Sequence, residues 1–473
     1  MSNKRKQLKQ RCIDVMNQNE WINPLFDKSA SIYIEARDEF LEQENTFYTT
    51  EAMERATFQH SYHGFLFSLL EDTHRYTYLA TCEIYLYEER LTQKNDSNFF
   101  SSRYFLSNAS HHIIGVWERT LRLSGLIYGY DFNKGSWKYS QIYRALKKDE
   151  VFVNSKVFGL LKNLVENNHL FAIEALRLGN DHELSVHVKF EKDDDLQQLA
   201  ESCFINVKAL YEVIHFFVER FQKECFVRVQ SIDLARFRWS IPLNSAKIEE
   251  LIPKELTGEL YTRLENSFQS LSSLILDITG LGPIAAPYLR QLDDKSKYIL
   301  RHTDPIFRLQ EATNSLRFAY NLMGRAKETD QDLHEVTVCF KNMDYTYFIE
   351  AAITRIYSVY DKVAVLLHQH TGLGEISTFE QFIRHYSDQS GNNPELLSHA
   401  LVIYETEEYK DLHQLRQDNF HHIVKENYIH HVDGEWSHAN NMINASKNIE
   451  ILFPLLTEMF DILKAKLLSI EGL

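Results

Sequence analysis

The chain has 473 residues, of which 44% are hydrophobic and 25% charged, a balance that excludes wholesale disorder and allows about three domains by length. Glycine (16) and proline (8) together make up about 5% of the chain against an average near 12%, which disfavours many-stranded barrels, sandwiches and propellers. The formal charge of −15 argues against a general double-stranded DNA binder, although a few arginines can still focus positive potential in one cleft.

The first 30 or so residues are polar and weakly patterned, an arm or short capping helix, and Lys4, Arg5, Lys6, Lys9 and Arg11 precede no apolar segment of the secretory kind. From about 35 to 95 the chain is expected to be helical, because Tyr62, Leu66, Leu69, Thr73 and Tyr76 recur at alternating steps of four and three with only Thr73 polar. Further helices are predicted from Arg103 to about Tyr128, near Tyr139–Leu146, over Val153–Leu178 as one long element, and from Leu196 to Gln222. Leu184–Phe190 and Val336–Phe340 alternate like short strands. Residues 225 to 245 look irregular and suit a linker, with helices expected over 246–277, 282–298 and 304–325. Five dispersed cysteines with no CxxC pair suit reduced, buried thiols, and no apolar run reaches bilayer length, so a cytoplasmic protein with no membrane partner is expected.

An internal repeat organises the chain. Tyr104-Phe105-Leu106-Ser107-Asn108-Ala109 recurs 243 positions later as Tyr347-Phe348-Ile349-Glu350-Ala351-Ala352. The same offset places Ile113 over Ile356, Val116 over Val359, Trp117 over Tyr360, Glu118 over Asp361, Arg119 over Lys362 and Gly129 over Gly372. Trp117 and Tyr360 read as core knobs. Farther on, Arg177-Leu-Gly-Asn180-Asp-His182 is matched by Arg416-Gln-Asp-Asn419-Phe-His421, 239 positions away. The expected fold is all-α, built from two related helical halves. The boundaries expected are a cap at 1–34, a first half at 35–240 with its motif region at 103–222, and a second at 241–473 with its motif region at 345–470.

Within each motif the arginine and histidine stand five apart, about 140° beyond a full helical turn, so they meet only near a helix end or a distortion, which Gly179 would permit. The paired Arg-x4-His motif at the end of a helix resembles the HEPN superfamily. The run Tyr360-Asp-Lys-Val-Ala-Val-Leu-Leu, followed by Gly372-Leu-Gly374, looks like an uncharacterised bacterial branch of it. Many HEPN proteins are metal-independent RNases whose two units place both motifs in one cleft. The resemblance therefore implies an intramolecular pseudo-dimer in which Arg177, His182, Arg416 and His421 are catalytic and Asn180 and Asn419 orient the substrate. It also implies single-stranded or structured RNA as partner, a regulatory protein in a defence or toxin–antitoxin setting, and no cofactor. Leu178 and Gln417 follow the arginines, where the family commonly has a polar residue.

The chemistry needs no metal: a histidine near neutral pH can move the protons, and a planar guanidinium can grip phosphoryl oxygens. The products would be 2′,3′-cyclic phosphate and 5′-hydroxyl ends. A non-catalytic helical module binding a nucleotide or protein is the alternative, with the arginines simply pairing to carboxylates such as Glu174 or Asp411. His421, His422, His430, His431 and His438 match no standard zinc spacing, so no metal is expected.

Overall fold

A computed structural model describes residues 3–19, 50–92, 100–127, 139–182, 193–229, 254–281, 294–323, 343–371, 378–386, 394–421 and 434–471. Every secondary-structure element among them is helical. In order these are α1 (Asn3–Asn19), α2 (Thr50–Thr92), α3 (Ser102–Ile127), α4 (Tyr139–Leu146), α5 (Glu150–Val153), α6 (Lys156–Glu166), α7 (His169–His182) and α8 (Asp193–Val229). There follow α9 (Lys254–Gly280), α10 (Asp294–Leu322), α11 (Tyr345–Thr371), α12 (Phe379–Tyr386), α13 (Pro394–Glu405), α14 (Glu407–His421) and α15 (Gly434–Glu471). The fold is all-α. Both expected strands, the two matched glycines Gly129 and Gly372, and most of the histidine-rich segment lie outside the described residues.

Three stretches differ from the sequence expectation. The single helix expected over 153–178 is interrupted twice. Asp149 caps α5 by accepting from the amides of Val151 and Phe152, and Ser155 caps α6 by accepting from Phe158 at 3.2 Å. At the second break Asn168 adopts a left-handed φ of 60°, which asparagine tolerates better than most residues. Conversely, α10 runs through Pro305, where two helices were expected. A proline inside a helix costs about 3 kcal/mol, yet His302, Thr303, Asp304 and Ile306 around it are all buried, and that packing holds the helix together. Residues 225–229 of the expected linker continue α8. The N-terminal segment is a helix that buries Leu8 and Cys12 against α2 and α8, with Lys9 ion-paired to Glu89 and Arg11 to Glu201.

The core is built around α3 and α11. From Tyr104 to Gly125 every residue except His112 is buried, and α11 is buried nearly all round from Thr346 to Leu367. Helices so enclosed are ordinarily apolar on all faces, whereas these carry charges that must be paired. Arg122 binds Glu118 at 3.0 Å, Arg355 binds Glu311 at 3.1 Å, and Lys362 pairs with Asp304. Arg119 lies over the Tyr76 ring at 4.4 Å.

Trp117 and Tyr360, read from the sequence as core knobs, are fully buried, and so are Ile113, Ile356, Val116 and Val359. Trp117 Nε1–H donates to Asn206 Oδ1 on α8 at 3.0 Å, and the Tyr360 hydroxyl donates to Asn448 Oδ1 on α15 at 2.6 Å. Neighbours match as well. Helix α3 packs against α2, α4, α7 and α8, while α11 packs against α10, α12, α14 and α15. Side chains cross between these groups: Tyr104 bonds Ser315 on α10 at 2.8 Å, and Tyr347 donates to Glu83 on α2 at 2.7 Å.

Candidate functional site

The two motif helices are placed by the same central pair. Helix α7 packs against α3, α6 and α8 and also against α11; helix α14 packs against α11, α13 and α15 and also against α3. Arg177 and Arg416 stand five residues before the ends of their helices, which fall at His182 and His421. Helix α7 is unbroken across Gly179, so no distortion there draws arginine and histidine together. Both arginines are half-buried, while Leu178 is exposed. The side chains of Asn180, His182, Asn419 and His421 lie outside the described residues.

The second motif sits in a polar network that the sequence reading missed. The Arg416 guanidinium stacks over the Tyr357 ring of α11 at 4.6 Å. The Tyr357 hydroxyl donates to Glu380 Oε1 at 2.8 Å and lies 3.1 Å from His413 Nδ1, which is itself 3.1 Å from the same carboxylate oxygen. Tyr409 donates to that oxygen too. Tyr409, His413 and Arg416 step by four and three along α14 and so share one face, a signal the sequence did contain. Glu380 comes from the first turn of α12, and nothing in the spacing of residues announced its arrival.

Burial by itself would raise the Glu380 carboxyl. The hydrogen bonds from His413, Tyr409, the helix backbone and Tyr357 outweigh it and hold the group down at about 2. Burial, reinforced by the Glu380 charge, pushes both tyrosine hydroxyls upward, so they remain donors.

No known family, curated protein or solved structure matches this chain. Carrying the repeat offsets back, Ile114 takes the place of Tyr357 and Glu174 that of His413, so the first copy lacks the tyrosine and histidine of this network. Among the described residues, no group of three or more His, Cys, Asp and Glu side chains could hold a metal ion. No helix among them is long and apolar enough to cross a membrane.

A second polar cluster lies where α2, α3 and α11 meet. Tyr76, Asn108, His111, His112, Arg119 and Glu350 help line a cavity of about 30 Å³, room for one or two waters. Several of its groups bond within the protein: His111 Nδ1 is 2.8 Å from the Ser107 carbonyl, His112 Nδ1 is 2.9 Å from Glu83, and Tyr76 donates to Glu350 at 2.8 Å. With cations and carboxylates in balance, this cluster fits a structural part.

Proposed function

We propose that this chain is a HEPN-like RNA-binding protein that acts as a metal-independent endoribonuclease, its two halves forming an intramolecular pseudo-dimer. One observation carries the reading: α7 and α14, far apart in sequence, share α3 and α11 as neighbours. The matched neighbour sets and the paired Trp117–Asn206 and Tyr360–Asn448 bonds support two related halves. Arg177 and Arg416 would stabilise charge on the phosphoryl oxygens, Asn180 and Asn419 would orient the substrate, and His182 and His421 would take part in the proton transfers of cleavage. DNA would bind without being cut, because it lacks the 2′-hydroxyl nucleophile. A cytoplasmic defence or toxin–antitoxin role with a regulatory protein partner completes the proposal.

The test is incubation of the full chain with mixed RNA in EDTA, followed by mapping of the new ends. Cyclic-phosphate products, lost in both His182→Ala and His421→Ala, are expected. Activity that needs a metal, or survives both substitutions, refutes the reading. A second reading, a non-catalytic interaction module, is favoured by Phe171 (63% exposed) and Leu178 (47% exposed), which stand two turns apart on α7 and form an apolar ridge. Binding of RNA or protein with no cleavage would select it.

A further inference from the structure

We infer that His413, held by Glu380 and Tyr357, is the general base of the second-half site and serves a phosphodiester gripped by Arg416. The inference deepens the proposed ribonuclease reading and rests on it.

Proton counting assigns the tautomer. Glu380 Oε1 accepts from the hydroxyls of Tyr357 and Tyr409, each of which has one proton to give. The Tyr357 proton is thus spent on the carboxylate. His413 Nδ1, 3.1 Å from both Glu380 Oε1 and the Tyr357 oxygen, must bring a proton of its own. In the neutral ring the lone pair then belongs to Nε2. Glu380 stays ionised down to about 2, so the group facing Nδ1 is a carboxylate at neutral pH. A carboxylate on Nδ1–H holds a catalytic histidine in tautomer and orientation in the same way.

The surroundings suit a phosphate. Arg416 stands one turn beyond His413 on the same face of α14. Tyr357 joins the two: its ring takes the guanidinium at 4.6 Å, and its centroid is 5.6 Å from that of His413. A planar guanidinium is the group that contacts a phosphate with two parallel bonds. Against the histidine stand Glu380 from α12, Tyr357 from α11 and Tyr409 from α14, while Arg416 acts on Tyr357 and Asp361 on both tyrosines. The imidazole itself is 37% exposed, which gives a substrate access.

In the step, Nε2 of His413 takes the proton of the ribose 2′-hydroxyl. The 2′-oxygen bonds to phosphorus as the bond to the 5′-oxygen breaks, and the leaving oxygen keeps the electron pair. It is neutralised by a proton from the imidazolium of a motif histidine; His413 then returns its proton to solvent and the motif histidine regains one from it. With Glu174 and Ile114 at the corresponding places, the first copy has no such base, so the two copies are unequal: Arg177 supplies charge, and the second half supplies the proton acceptor.

The experiment measures cleavage of an RNA oligonucleotide in EDTA from pH 5 to 9 by the full chain and by His413→Ala, His413→Gln and Glu380→Gln. Both His413 variants should lower kcat by about 100-fold or more with KM little changed, and Glu380→Gln should displace the acid limb of the pH profile. Diethylpyrocarbonate labelling of His413, read by mass spectrometry, adds a measure independent of turnover: uncleavable 2′-O-methyl RNA should protect the wild-type residue, and Arg416→Ala should abolish the protection. If His413 variants cleave like wild type while His421→Ala is inactive, or if bound RNA leaves His413 unprotected, the inference falls and the ribonuclease reading stands. If the wild-type chain neither binds nor cuts RNA, that reading has failed and takes the inference with it.

Discussion

Replacing Glu380 by glutamine preserves the size of the side chain and removes its charge. In the folded protein the carboxyl is lowered from 4.5 to about 2, and its side chain is only 17% exposed. Such a shift corresponds to about 3 kcal/mol of folding stability at neutral pH. The sign follows from proton binding. Between the two values the unfolded chain carries the proton and the folded chain does not, so stability rises with pH there and is complete above the unfolded value. On acidification the contribution is lost progressively as the pH approaches 2. Glutamine still offers an oxygen to Tyr357 and Tyr409, so mainly the charged part of the interaction disappears. Urea unfolding by far-UV circular dichroism at pH 7, 5, 4 and 3 should show the variant less stable by about 3 kcal/mol at pH 7, with the gap shrinking steadily below pH 4.5. A gap that does not change with pH would mean that the carboxylate contributes shape and not charge, and the reasoning about the His413 network would be wrong.

Tyr360→Phe should strand the Asn448 oxygen in the core and cost about 1–3 kcal/mol, whereas Trp117→Phe, which also empties part of the indole site, should cost more; thermal or urea unfolding checks both. Equal stability of either variant with wild type would contradict the paired roles of these side chains. Burial pushes the thiols of Cys12, Cys82 and Cys203 upward, so none should react with a maleimide at pH 7.5 until denaturant is added, as peptide mapping would reveal.

Much of the candidate site was only partly legible. Arg177 and Arg416 stand out because they repeat, and the helices that carry them end at His182 and His421. His413 lay in plain view on the face of Arg416 and was passed over, since a histidine among many carries no meaning until its partner is known. That partner, Glu380, reaches it from another helix 33 residues earlier in the chain. Asn206 and Asn448 went unnoticed for a related reason: a single asparagine within a long apolar stripe looks incidental until the indole or phenol it receives is in place.

By itself the sequence determined the helical class, through its scarcity of glycine and proline, and the buried faces, through their periodicity. Both are properties of local chain stiffness and of side-chain spacing on one helix. Tertiary structure alone decided that α10 would continue through Pro305, because the energy that tolerates the proline comes from buried neighbours on other helices. It also decided which charges could be buried: Arg355 with Glu311 and Lys362 with Asp304 are pairs drawn from different helices, and only the packing brings them close enough to offset the loss of water.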